Sequence, residues 1–204
     1  VVRLNAPVNI FDEQAFQKVV EEQGAGKGAG AKADMIAHAT KRAISERLAQ
    51  DPAFYEKFSK LIQQAIDDYR AKRITDLEYL QRVADIKDSV VKRKSDDLPA
   101  AIAGDEDATA VYGLLQPFVA AHVTDAAQAR QIAAETAKSV WGVFLSNRKV
   151  GYWDDLDAQR RTMNEIDDYL YDEVKGRQGH ALSTAEMDEI IEKTKQLARH
   201  RMAG

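Results

Sequence analysis

Apolar residues recur along this chain at helical rather than alternating spacing. Phe54, Phe58, Leu61, Ile62, Ala65, Ile66 and Tyr69 fall at i, i+4, i+7, i+8, i+11, i+12 and i+15, which predicts one helix with a broad buried stripe. Just ahead of it, Asp51-Pro52 supplies an N-cap followed by proline at the first helical position. Ile36, Ala43, Ile44 and Leu48 share a face and predict the helix before that. Thr75 with Glu78 has the spacing of a capping box, opening a helix to about Lys92 with Leu77, Leu80, Ala84 and Val91 expected on its buried side. Helix is expected again from Asp105 to about Leu115, with Pro117 disrupting the residues beyond. Thr124 is expected to cap a long helix ending near Asn147, whose face is Ala129, Ile132, Ala133, Thr136, Val140, Val143 and Phe144. Met163, Ile166, Leu170 and Val174 mark another, closed by Gly176 and Gly179. A second capping box, Ser183 with Glu186, opens the last helix, lined by Met187, Ile190, Ile191, Thr194, Leu197 and Ala198. No alternating pattern of useful length appears, so the predicted fold is all-α: a multi-helix, bundle-like domain with a short N-terminal lead segment.

The spacing of breakers divides the chain further. Residues 1–23 read as a lead segment, with an extended entry at Pro7 and Asn9 and a short helix over Phe11 to Glu22. Residues 24–31, which begin GAGKGAG, read as a flexible glycine-rich linker, leaving 32–204 as the helical domain. Within it, 95–104 (SDDLPAAIAG) is either a loop or a hinge between two helical subdomains. The segment RKVGYW, 148–153, reads as a loop or short extended stretch with two exposed-looking aromatics.

Composition narrows the class. A chain of 204 residues with 45% hydrophobic content is large enough to bury a core. It has no cysteine, which removes disulfides and thiolate metal sites and fits folding in a reducing compartment; the cytoplasm is the expected location. No run approaches the ~18 consecutive apolar residues of a membrane span, and no signal-peptide core stands at the N-terminus. The chain opens at Val1 rather than methionine, so we expect it to be a piece of something larger. A net charge of −4 argues against a uniformly basic nucleic-acid binder, although 29 Lys and Arg leave material for a local basic patch.

No catalytic motif is supported. The glycine segment lacks the Gly-Lys-Ser/Thr ending of a phosphate loop, since Lys27 precedes Gly28 and Lys32 precedes Ala33. Gly24, Gly26 and Ala29 match the loose dinucleotide pattern, but a polar, helix-like segment precedes them where a strand is needed. The nuclease-type tripeptides Glu173-Val174-Lys175 and Asp85-Ile86-Lys87 lie within helical periodicity and do not converge on one metal. Acid pairs such as Asp154-Asp155 and Asp167-Asp168 point about 100° apart on a helix and suit its positive end. His38, His122, His180 and His200 have no i, i+4 partner, so no metal site is expected; Ser139 and Ser146 lack nucleophile-elbow glycines.

The basic groups offer more. Lys92, Arg93 and Lys94 close one helix; Arg148 and Lys149 precede Tyr152 and Trp153, and Arg160 and Arg161 lie within the next two turns. These seven are candidate DNA-phosphate contacts, and the last four have aromatics beside them. Basic residues at helix C-termini are equally favoured by the macrodipole, and Trp153 also suits an anchor in the core.

The run KADMIAHATKRAISERLAQDPAFYEKFSKLIQQAIDDY, Lys32 to Tyr69, resembles the C-terminal region of the restriction (motor) subunit of type I restriction-modification enzymes. In that family a helix rich in Ala, His and Arg precedes an Asp-Pro-x-x-Tyr helix start, here Asp51, Pro52, Phe54 and Tyr55. Residues 1–11 look like the passage leaving the motor, and Val140 to Asp172 looks like the closing section. The resemblance implies a subunit that translocates and cleaves DNA using ATP and Mg in domains upstream of this region, whose motifs have no counterpart here. It also implies a non-catalytic helical part, without a cofactor of its own, that assembles the motor onto the methyltransferase and specificity subunits. Phe11, Phe54, Tyr55, Tyr152 and Trp153 are candidates for that docking face or for the core. The alternative is a helical module that contacts the backbone of double-stranded DNA directly.

Overall fold

A computed structural model of the protein describes residues 9–92, 98–177 and 179–202. Among these residues are eight α-helices and no strand, as the periodicity predicts. They group into two compact units. Residues 9–48 and 54–92 form one, and 49–53 with 98–202 form the other. The division therefore falls in the neighbourhood of the 95–104 segment, of which Ser95, Asp96 and Asp97 lie outside the described residues.

The first unit is built from α1 (Glu13–Gly24), α2 (Ala29–Arg47), α3 (Pro52–Arg70, from Phe54 onward) and α4 (Asp76–Val91). Asp12 caps α1 by accepting the Ala15 amide at 3.0 Å. Its Phe16 joins Ile10, Ile36, Ile44, Phe58, Ile62 and Val83 in one core, so the lead segment packs with the helices that come after it. The glycine-rich segment is shorter than expected as a connector: it is helical from Ala29, and Gly30 is buried. The α4 capping box forms as predicted, with Thr75 and Glu78 each bonding the other's backbone amide. Of the side expected to face the core, Leu80 and Val91 pack against it partly buried, but the centre of the buried face lies elsewhere. Tyr79, Val83, Ile86 and Val90, at i, i+4, i+7 and i+11, turn inward, and Leu77 is 72% exposed. The larger aromatic and β-branched side chains set the rotation of the helix, and Leu77 falls on the opposite side.

Gly30 has a steric reason to be glycine. A Cβ there would lie 2.2 Å from the Tyr69 hydroxyl. Tyr69 has no freedom to retreat, because its ring stacks on Tyr79 at 4.3 Å and its hydroxyl donates to Asp76 at 3.1 Å. Tyr79 in turn donates to Asp34 at 3.0 Å. Both phenols are held protonated, Tyr69 chiefly by its bond to Asp76 and Tyr79 chiefly by burial.

The second unit contains α5 (Glu106–His122), α6 (Ala126–Asn147), α7 (Leu156–Tyr169) and α8 (Thr184–Met202). Two expectations need correction. Pro117 does not end α5: the helix runs through it to His122, although proline leaves the Gly113 carbonyl without its helical donor. Ala108, Val111, Leu115 and Val119 are buried on one face across the proline, and that packing outweighs one lost bond. The cap of α6 is Asp125 rather than Thr124; its carboxylate accepts the Gln128 amide at 2.7 Å. Over the last part of its expected length, α7 passes at Leu170 into a π-helical segment, Leu170–Arg177, in which Leu170 and Val174 are both buried. The second capping box holds α8, with Ser183 donating its amide to Glu186 at 2.8 Å. At the far end of α8, Arg201 contacts Asp107 in the first turn of α5 and donates to the Gln50 carbonyl at 2.6 Å.

Replacing Gly30 with alanine should destabilise the protein although alanine is the better helix former. We expect a net loss of about 1–2 kcal/mol from overpacking, read from urea unfolding. Adding Tyr69→Phe should recover part of that loss, because it removes the oxygen nearest the new methyl group.

Candidate functional site

Four of the seven candidate phosphate contacts, Arg148, Lys149, Arg160 and Arg161, lie at the corner between α6 and α7. α6 ends at Asn147 and its chain leaves through Arg148, Lys149 and Val150; Gly151 then takes a left-handed conformation, φ 71°, which reverses the direction. A 3-10 turn over Tyr152–Asp154 comes next, and Asp155 caps α7 by accepting the Ala158 amide at 2.8 Å.

Side-chain bonds hold this corner in one shape. Asn147 donates to the Val143 carbonyl and to Glu165 of α7, both at 2.9 Å. Gln159, buried in α7, donates to the Trp153 carbonyl at 2.9 Å and to that of Tyr152 at 3.3 Å. Lys149 reaches across the turn to contact the Asp155 carboxylate. That bond, with the capping bond from Ala158 second to it, holds the Asp155 carboxyl down at about 2.

The two aromatics of the corner are not an exposed platform. Tyr152 is buried and Trp153 half-buried, their rings edge to face at 4.8 Å, with Trp153 packed against the core of the second unit. Burial raises the Tyr152 hydroxyl above its ordinary pKa. Phe54 and Tyr55 are likewise core residues of the first unit, packed edge to face at 5.1 Å. Phe11 is half-buried beneath the Arg47 guanidinium, 3.7 Å above its ring.

The candidate phosphate contacts separate into two groups. Lys92 is exposed in the first unit and lies 3.8 Å from Asp88, while Arg93 and Lys94 lie outside the described residues. Arg148, Lys149, Arg160 and Arg161 are all on the surface of the second unit, but four acids accompany them: Asp154, Asp155, Asp157 and Glu165. Lys149 is engaged by Asp155, and Arg160 by Asp157 at 3.4 Å. Arg148 and Arg161 have no carboxylate partner among the described residues. The corner is therefore close to neutral and carries two free cations, rather than a basic stripe.

What sequence reasoning misses here is apolar. Val150 is fully exposed, Leu156 71% exposed and Leu145 half exposed, all within twelve residues of chain. The available signal is a valine placed between a lysine and a turn glycine, where nothing shields it. Among the described residues no group of three or more His, Asp or Glu side chains is arranged to hold a metal ion, and no helix is long and apolar enough to cross a membrane.

Over 99 residues, 48% of its length, the chain is 28% identical to the "Putative type I restriction enzyme MjaIXP endonuclease subunit" of Methanocaldococcus jannaschii. The matched stretch is 9% of that protein. No family model matches the chain, and no solved structure does.

Because the Asp155 carboxyl titrates lower in the folded protein than its ordinary 3.8, the native state binds fewer protons between that value and about 2. Its contribution is present above this interval and is lost as pH falls through it. Asp155→Asn keeps a capping oxygen but cannot titrate. The melting temperature of this variant should lie below that of the native protein at pH 7, and the gap should narrow as pH falls from about 4 to about 2.

Proposed function

We propose that this chain is a non-catalytic helical part of a type I restriction endonuclease subunit, and that it docks the motor subunit onto the methyltransferase core of the complex. The observation that carries this reading is the 99-residue similarity to a protein named as an endonuclease subunit of such an enzyme. The Asp51-Pro52 helix start, leading into a deeply buried stripe, agrees with the family's Asp-Pro-x-x-Tyr pattern. In this reading DNA cleavage and ATP hydrolysis belong to other parts of the subunit, and the chain itself needs no cofactor. Its partners are the methyltransferase and specificity subunits.

A protein partner is favoured over the DNA backbone by the state of the basic groups. Phosphate binding draws its affinity from cations free to displace counterions. Here Lys92, Lys149 and Arg160 each already have a carboxylate beside them.

The test is binding of the purified chain, at low and at high salt, to the cognate methyltransferase–specificity complex and separately to a DNA duplex. We expect association with the complex to persist at both salt concentrations, with no salt-sensitive shift of the duplex. DNA binding that falls steeply with salt and is lost in Arg160→Glu/Arg161→Glu, with no association with the complex, would replace docking by direct backbone binding.

A further inference from the structure

We infer that the α6–α7 corner is the contact surface itself, and that Leu145, Val150 and Leu156 insert into an apolar pocket on a partner protein whose rim carries carboxylates. The inference rests on the proposed docking function and adds the surface and the chemistry of what covers it.

Three observations lead to it. Val150 stands wholly in solvent, with Leu156 and Leu145 largely or half exposed beside it in the chain. A single exposed apolar residue needs no explanation, but three within twelve residues of chain, at the end of one helix, the turn after it and the start of the next, mark a stretch with apolar side chains to offer a partner. The corner is also prepared for contact. The Asn147–Glu165, Gln159–Trp153 and Asp155–Ala158 bonds fix its backbone before any partner arrives, so little ordering remains to be done on binding. Finally, the charges indicate the sign of the rim. Lys149 and Arg160 each have a carboxylate beside them within the corner, leaving Arg148 and Arg161 as the cations with no carboxylate of their own among the described residues. A partner rim bearing carboxylates complements them. A nucleic-acid backbone would satisfy the two arginines yet offer no apolar cover for the three aliphatic side chains, so a protein surface fits the whole corner better.

The experiment measures affinity of the full 204-residue chain for the methyltransferase–specificity complex. The variants are Val150→Asp, Leu156→Asp and the double change Arg148→Glu/Arg161→Glu. Leu77→Asp, at an equally exposed leucine of the first unit, is the control. All of these sites are on the surface, and circular dichroism verifies that each variant folds. Val150→Asp and Leu156→Asp should each weaken binding on the order of tenfold or more. The double arginine change should slow association several-fold at low salt, and Leu77→Asp should bind as the native chain does. If the native chain binds and the two aspartate variants bind equally well, the corner is not the contact surface and the docking function stands. If the native chain does not bind the complex at all, both fall. A native chain that self-associates, and becomes monomeric in Val150→Asp with unchanged affinity for the complex, would assign the corner to a second copy and overturn the inference. So would DNA binding that needs Arg148 and Arg161 but is indifferent to Val150.

Discussion

The second unit depends on the pairing of α5 with α6. These two helices contribute buried residues to each of its three apolar clusters: Ala110, Val111 and Leu115 with Ala137, Val140 and Phe144; Val119 with Ala129, Ile132 and Ala133; and Ala108 with Ala134. The alanines that α6 brings to this seam are almost completely buried, so the two backbones approach closely and larger side chains interlock along the same line. That continuous contact explains why α5 survives a proline within it. It also places the end of α6, and hence the corner beyond it, on the longest helix among the described residues.

The first unit solves the same burial problem with aromatic rather than small residues. Phe54, Tyr55, Phe58 and Tyr79 fill its core, and the Tyr69–Tyr79 stack extends it to the start of α2. There the hydroxyls find carboxylates in Asp76 and Asp34, and Gly30 leaves the room that the Tyr69 oxygen occupies. Glycine in this segment is thus partly a packing residue, which its low-complexity appearance conceals.

Much of the architecture is legible in the sequence because capping and periodicity are local. Both capping boxes, the Asp51-Pro52 start, the faces of α6 and α8 and that of α3 apart from the exposed Leu61 arise from side chains a few residues apart. The departures share one origin in tertiary contact. Periodicity alone puts Leu77 on the wrong side of α4, because two rotations of the helix look alike until Tyr79 meets its partners. Pro117 resembles a break because the α6 surface supporting α5 is distant in sequence. At the corner, the sequence displays the charges of Arg148, Lys149, Arg160 and Arg161 but not that Asp155 and Asp157 already occupy two of them. Nor does it reveal that Tyr152 turns inward while Val150 turns out, since a glycine in a left-handed turn decides both.

In the proposed docking role, the fixed α6–α7 turn presents its exposed aliphatic side chains to another protein, with two of its four cations paired to its own carboxylates. The most direct measurement is backbone hydrogen exchange of the chain, free and in the presence of the methyltransferase–specificity complex. The expected result is slowed exchange concentrated over residues 145–161, with the helices of the first unit unchanged. Exchange slowed only within residues 9–92, or nowhere, would contradict docking through the α6–α7 corner.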